Sequence, residues 1–315
     1  MKRYKRKRKR KFLIGFFIII ILLTYSVYMY GFQETFGLDP KTIQTFLSKD
    51  NKNSNLNVSD SEQLVVQFLD VGQADAIWIQ SQDENMLIDA GNNNDGSLIV
   101  SYLKEQGVSQ IKYVIGTHPH EDHVGGLDDI IRNFQVSSIY MPDVITTTST
   151  FMDVLDAIES KGLKFNVPKI GETWSLGKAK IEVMFTGKNE KDLNSSSIVL
   201  KLTYGDIKFL FTGDATNLVE KELVKRDIKA DVLKIAHHGS PYSTTATFLD
   251  KCHPRYAVIS VGTGNHYGLP CQYLLSRLKK HDIEIYRTDE LGTIIATTDG
   301  KSVTFSSLST NVNGG

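Results

Sequence analysis

Two β-sheets packed face to face, with helices on their outer surfaces, make up the α/β fold class that the sequence predicts for residues 63–308. Three observations carry this expectation. Apolar runs of strand length recur through the whole region, helical patterns fall between the later ones, and no second linker interrupts the series. One domain is therefore expected over 63–308. LVVQFLD, AIWIQS and NMLIDA open it as three strand-length runs rich in β-branched and aromatic residues. SLIVSYLKEQG follows with helical spacing, then the apolar strand IKYVIGT, a histidine-rich loop, and GLDDIIRNF as a helix. SSIYMP, KIEVMFTG, SIVLKLTYG, IKFLFTGD, ADVLKIAHHG, YAVISVG and TIIATTDG read as strands, with NLVEKELVKR and CQYLLSRLKKH as helices among them. TYGDIKFLF is expected to be a hairpin turning on Gly205-Asp206.

Upstream of this region the chain changes character. Residues 2–11, KRYKRKRKRK, hold nine basic residues and no acidic one, which leaves 27 basic against 36 acidic residues elsewhere, a net of −9. Phe12–Phe32 follows without a charged residue, and about 20 apolar residues suffice for a helix to cross a bilayer. The tract is long for the apolar core of a signal peptide and lacks a small-x-small cleavage site, so an uncleaved single-pass anchor is the expectation. The positive block places residues 1–11 in the cytoplasm and the body outside the cell membrane. Residues 33–62 are polar and rich in turn formers, as in a spacer, and 309–315 read as a flexible tail. An apolar content of 41% with 23% charged residues excludes a disordered chain, and two cysteines, Cys252 and Cys271, exclude a disulfide framework.

The chemistry concentrates at strand ends. THPHEDHVGG places His118, His120, Asp122 and His123 between an apolar strand and a helix. Imidazole and carboxylate are the donors that hold zinc and similar divalent ions, and a solvated polar loop does not need four of them at this spacing. Gly125 and Gly126 are expected to let the next helix start at once, with its positive end towards the site. Asp214, in FLFTGDA, leaves a strand end either as a carboxylate between two ions or as a turn former. His237 and His238, in KIAHHGS, sit at another strand end. One is expected to ligate and the other to act as a general acid or hydrogen-bond donor, with His238 preferred as ligand because it abuts Gly239. Asp89, in LIDAG, reads either as the grip on a ligand imidazole or as a turn residue. Ser195–Ser197 and Ser240 offer donors to a phosphate, or simply begin turns and strands.

HPHEDH, TGD, LIDAG and HHGS, in their positions along the chain, resemble the motifs of the metallo-β-lactamase fold. FLDVGQADA, with Asp70, NSSSIVLKL, NHYGLP and RTDELG more narrowly resemble the extracellular hydrolase domain of ComEC-type DNA-uptake proteins, over residues 64–306. The resemblance implies a four-layer αββα sandwich and a hydrolase with one or two divalent ions, zinc or manganese. It places His118, His120 and Asp214 around one ion, and Asp122, His123, Asp214 and a histidine of HHGS around the other. It departs from the family pattern in three places. No histidine lies between His123 and His237, Ala74 stands for a glycine of DVGQGD, and Leu269 stands where a histidine is usual, with His266 nearby as the substitute. The reaction implied is attack of an activated water on a phosphodiester, in DNA or another polymer, with Asp122 as ligand and partner to that water and His237 as acid. Lactone or β-lactam hydrolysis, and a non-catalytic surface module, are the alternatives. No nucleotide cofactor is expected. The acidic body argues against tight nonspecific binding to DNA.

Overall fold

The computed structural model describes residues 62–188 and 191–308. The basic tip, the apolar span, the spacer up to residue 61 and the tail 309–315 lie outside them. None of the described helices is long and apolar enough to cross a membrane.

In chain order the elements are β1 (Leu64–Phe68), β2 (Ala76–Ser81), β3 (Glu84–Ala90), α1 (Gly96–Glu105), β4 (Gln110–Ile115), α2 (Glu121–Val124), α3 (Leu127–Asn133), β5 (Gln135–Tyr140), α4 (Ser149–Ser160) and β6 (Phe165–Asn166). The second half begins with β7 (Thr173–Leu176), β8 (Ala179–Phe185), β9 (Val199–Tyr204), β10 (Ile207–Phe211), α5 (Asn217–Leu223) and β11 (Val232–Lys234). It continues with α6 (Ala246–Cys252), β12 (Tyr256–Ile259), α7 (Gln272–Lys280), β13 (Glu284–Arg287) and α8 (Thr288–Leu291), before β14 (Thr293–Thr298) and β15 (Val303–Leu308) return to the first sheet. One sheet runs β15-β14-β1-β2-β3-β4-β5-β6 and the other β13-β12-β11-β10-β9-β8-β7.

Period-2 alternation divides the apolar side chains among three cores. Ile77 and Ile79 of β2 and Phe209 and Phe211 of β10 enter the core between the sheets. Trp78, between the two isoleucines, joins Ile99, Leu127, Ile130 and Val154 under α1, α3 and α4. Leu210, between the two phenylalanines, joins Val219, Leu249 and Leu274 under α5, α6 and α7. The layers are therefore helix, sheet, sheet, helix, as expected. The hairpin forms where the sequence places it, with Tyr204 opposite Ile207 and Gly205 at φ +59° in the first turn position, a conformation that glycine adopts without cost.

Strand direction positions the site. β3, β4 and β5 are mutually parallel, as are β10, β11 and β12. In parallel sheets, ligands bind beyond the carboxyl ends of the strands. Asp89, His118, Asp214 and His237 all follow, or sit at, such ends.

Both cysteines are free thiols. Cys252, the last residue of α6, is fully buried, and burial pushes its thiol up to about 12. Cys271 is half-buried, and its Sγ caps α7 by accepting from Leu274 N at 3.4 Å. Because the thiolate is the reactive form, Ellman titration of the native full chain at pH 8 is expected to count at most one thiol, with a second appearing only in denaturant. Two thiols reacting at equal rates in the native protein would contradict this burial.

Candidate metal centre

The loop after β4 carries the first donors, and its geometry differs from the sequence expectation in one respect. Helix formation starts inside the motif, at Glu121, with His120 as the N-cap residue. The expected helix, α3, still begins at once after the two glycines, with Gly126 as its N-cap residue. Both glycines are also needed because β3 and the turn after it pack directly on them. A Cβ on Gly125 would lie 2.3 Å from Asn92 C, and one on Gly126 would lie 2.4 Å from Ala90 O.

Asp89, at φ +59°, grips this loop. Its Oδ1 accepts from Thr117 N at 2.8 Å, and its Oδ2 accepts from Thr117 Oγ1 at 2.8 Å and from His123 Nδ1 at 2.7 Å. A carboxylate on Nδ1 fixes the tautomer and aims Nε2 elsewhere. His123 Nε2 faces Asp214 Oδ1 at 3.2 Å. His118 is turned in the same way. Its Nδ1 lies 3.2 Å from Thr117 Oγ1 and 3.4 Å from Ser197 Oγ, while its Nε2 faces His120 Nδ1 at 3.0 Å.

The second sheet supplies the rest. Asp214 follows β10 and is fully buried, and its N–H donates to Ser197 Oγ at 3.1 Å. His237 and His238 follow β11 in consecutive left-handed conformations, φ +52° and +51°, which cost non-glycine residues on the order of 1 kcal/mol each. The two turns send the rings in different directions. His238 is buried, donates from Nδ1 to Ser260 O at 3.0 Å, and presents Nε2 to Asp122 Oδ2 at 3.2 Å. His237 stays 29% exposed, with Nε2 3.7 Å from Asp214 Oδ2 and the Asn194 amide beside its ring.

Two donor groups meet at the Asp214 carboxylate. His123 Nε2, Asp214 Oδ1, His238 Nε2 and Asp122 Oδ2 enclose one space, with successive separations of 3.2, 4.0, 3.2 and 3.9 Å. On the other side of the Asp214 carboxylate, Oδ2 lies 3.8 Å from His118 Nε2. Donors to one zinc ion at about 2.1 Å stand roughly 3 to 3.5 Å apart, so small closures would complete the first set. The residues fit a cation in a further respect. His123 Nε2 and Asp214 Oδ1 are both buried and neither has a hydrogen-bond partner, a costly arrangement that a shared cation relieves.

Electrostatics points the same way. Burial opposes the charge on His123, but the Asp214, Asp89 and Asp122 carboxylates outweigh it and hold the imidazole well above its ordinary value. Burial likewise disfavours a charged Asp214, yet His123 and His238 hold it well below the carboxylate range. Burial and the neighbouring His123 keep His118 well below the imidazole range. A cation entering must therefore displace a proton from His123, and affinity should fall as pH falls. Calorimetry of zinc binding to the full chain at pH 7, in buffers of different ionisation enthalpy, is expected to count at least one released proton. No release would contradict the charge state assigned to His123.

The remaining expected site residues divide. Ser197 stands between His118 and Asp214, as described. His120 faces His118 but forms no three-donor group with Asp214. Asp70 lies in the loop after β1, its N–H on Thr293 Oγ1 at 3.0 Å, outside every donor group. Ser240 braces its own turn, donating from N to His237 O at 2.8 Å. His266 lies on an exposed turn and joins no donor group among the described residues. Asp75, Thr117, Asn194, Lys234 and Ser260 line the site without having been singled out. For Lys234 a signal existed in VLKIA, because a lysine inside a wholly buried strand requires a buried anion.

The description "Metallo-beta-lactamase superfamily" matches residues 69–263, well over half of the chain. The chain belongs to the metallo-β-lactamase superfamily and, within it, to the ComEC type. It is similar to ComE operon protein 3 of Bacillus subtilis, 29% identical over 250 residues, covering 73% of this chain and 32% of that protein. Competence protein ComA of Neisseria gonorrhoeae is 25% identical over 238 residues, covering 71% of this chain and 31% of that one. The chain thus spans about a third of the length of these relatives. Among solved structures, the metallo-β-lactamase fold protein YhfI from Bacillus subtilis superposes with a TM-score of 0.53 at 12% identity, covering 75% of this chain and all of that one, which bears on the fold alone.

Proposed function

We propose that this protein is a metal-dependent phosphodiesterase that acts outside the cell, on DNA or another phosphodiester polymer, from a single-pass membrane anchor at residues 12–32. The observation that carries the reading is the Asp214 carboxylate, whose two oxygens face two different sets of imidazoles 3.2 and 3.8 Å away. A carboxylate with an oxygen towards each of two ion sites would suit a phosphodiester, whose attacking and leaving oxygens both develop charge. The similarity to competence proteins supports DNA as the polymer.

Asp122, His123, His238 and Asp214 would hold one zinc or manganese ion, and His118, His120 and Asp214 the other. Such ions acidify a water and neutralise charge on the phosphoryl oxygens. The chain's own groups do the rest. Asp122, 32% exposed, has Oδ2 turned into the donor group from the solvent side, where it can orient the attacking water. His237, at the open edge of the site, is placed to give a proton to the leaving oxygen. With an ion bound, Asp89 and Ser260 O would hold hydrogen on the Nδ1 atoms of His123 and His238 and so leave their Nε2 atoms to the ion.

Turnover of bis(p-nitrophenyl) phosphate by the full chain in detergent, compared with zinc, manganese and a chelator, tests the reading. Activity restored by either ion and lost in His120→Ala is expected. Faster turnover of a lactone or a chromogenic cephalosporin, or no turnover of any of the three, would overturn it.

A further inference from the structure

Beneath the donor groups lies an ion pair that the reaction above does not use. Lys234, at the end of β11, has a side chain with no exposure, and that of Asp75 is 1% exposed. Lys234 Nζ donates to Asp75 Oδ2 at 2.8 Å and to Ile235 O at 3.1 Å. Taking both charges out of water is costly, and apolar residues of similar volume often serve stability as well or better. The placement of the pair suggests what it is for. Asp75 N donates to Asp122 O at 3.0 Å, and Asp75 O accepts from Gly91 N at 2.8 Å. Its second carboxylate oxygen, Oδ1, has no hydrogen-bond partner and stands 3.4 Å from His238 Nδ1.

His238 Nδ1 therefore faces two groups that can only accept, the Ser260 carbonyl and the Asp75 carboxylate. That environment favours the tautomer with hydrogen on Nδ1 and leaves the Nε2 lone pair directed at Asp122 and Asp214. Asp75 can hold this position as an anion only because Lys234 neutralises it where water cannot reach. We infer that Asp75 and Lys234 are positioning residues for His238: the buried ion pair fixes the carboxylate that, with Ser260 O, orients this imidazole as a donor to a divalent ion. The inference rests on the reading that ions occupy this centre, and not on the identity of the substrate.

The test is zinc binding to the full chain in detergent, measured by competition with a chromophoric chelator, together with the visible spectrum of the cobalt-substituted protein. Two variants, D75N/K234M and D75N/K234Q, remove both charges at once, so neither leaves a lone buried ion. His238→Ala marks the ion that depends on that imidazole. In a double variant whose melting temperature stays near that of the wild type, the same ion is expected to bind roughly 10- to 100-fold more weakly. Its cobalt bands should change, while the other ion keeps its affinity. Wild-type affinity and spectrum in a folded double variant would overturn the positioning role alone. Failure of both double variants to fold would also overturn it, because the pair would then be serving the core. A wild-type chain that binds neither zinc nor cobalt would instead overturn the metal centre itself.

Discussion

Asp214→Asn is expected to lower phosphodiester turnover by on the order of 10³-fold, the loss that follows removal of a preorganised charged contact in a dry site. The bound-zinc stoichiometry should fall with it. The substitution keeps the side chain's size but leaves one amide nitrogen, a donor, where an acceptor faces His123 or His118. One of the two donor groups must then lose a member. The fold should survive, since Ser197 Oγ accepts from the backbone N–H of residue 214 and not from its carboxylate. A variant with unchanged turnover and two bound ions would show that the carboxylate does not join the groups.

Gly126→Ala is expected to harm the fold severely. Its Cβ would meet Ala90 O at 2.4 Å, Gly96 Cα at 2.6 Å and Gly96 N at 2.9 Å, all backbone atoms that no side-chain rotation can clear. Overpacking of this kind costs about 3 kcal/mol, which lowers the melting temperature of a domain this size by roughly 10 °C. Relief by moving α3 would also pull at the loop that carries Asp122 and His123, so zinc affinity should drop as well. Thermal melting of the metal-free full chain and chelator competition read the two effects separately. An unchanged melting temperature would contradict the close packing at this position.

Much of this could be read from residues alone, for physical reasons that vary by element. β2 and β10 are legible because aromatic and β-branched residues alternate between two buried faces with a period of two. α4 is not, although Phe151, Val154, Ala157 and Ile158 form one buried stripe, because its polar lead-in TTTST resembles a loop. The donors were legible as residue types at strand ends, yet their division of labour was not. Which of His237 and His238 turns inward depends on two consecutive left-handed residues, a conformation that no local pattern announces. Asp89 read equally well as a turn former until its contacts with Thr117 and His123 separated the two readings. Asp75 and Lys234 are 159 positions apart, a separation at which nothing local connects them.

The parallel strand ends that bring Asp122 and His123 to His238 also set a schedule for biosynthesis. The donor group that contains Asp214 spans residues 118–214, and the one that contains His238 spans 122–238. A nascent chain that stops short of Asp214 therefore completes neither, however well its first sheet has formed. The hydrolytic centre can assemble only late, when the second sheet has emerged and docked on the first.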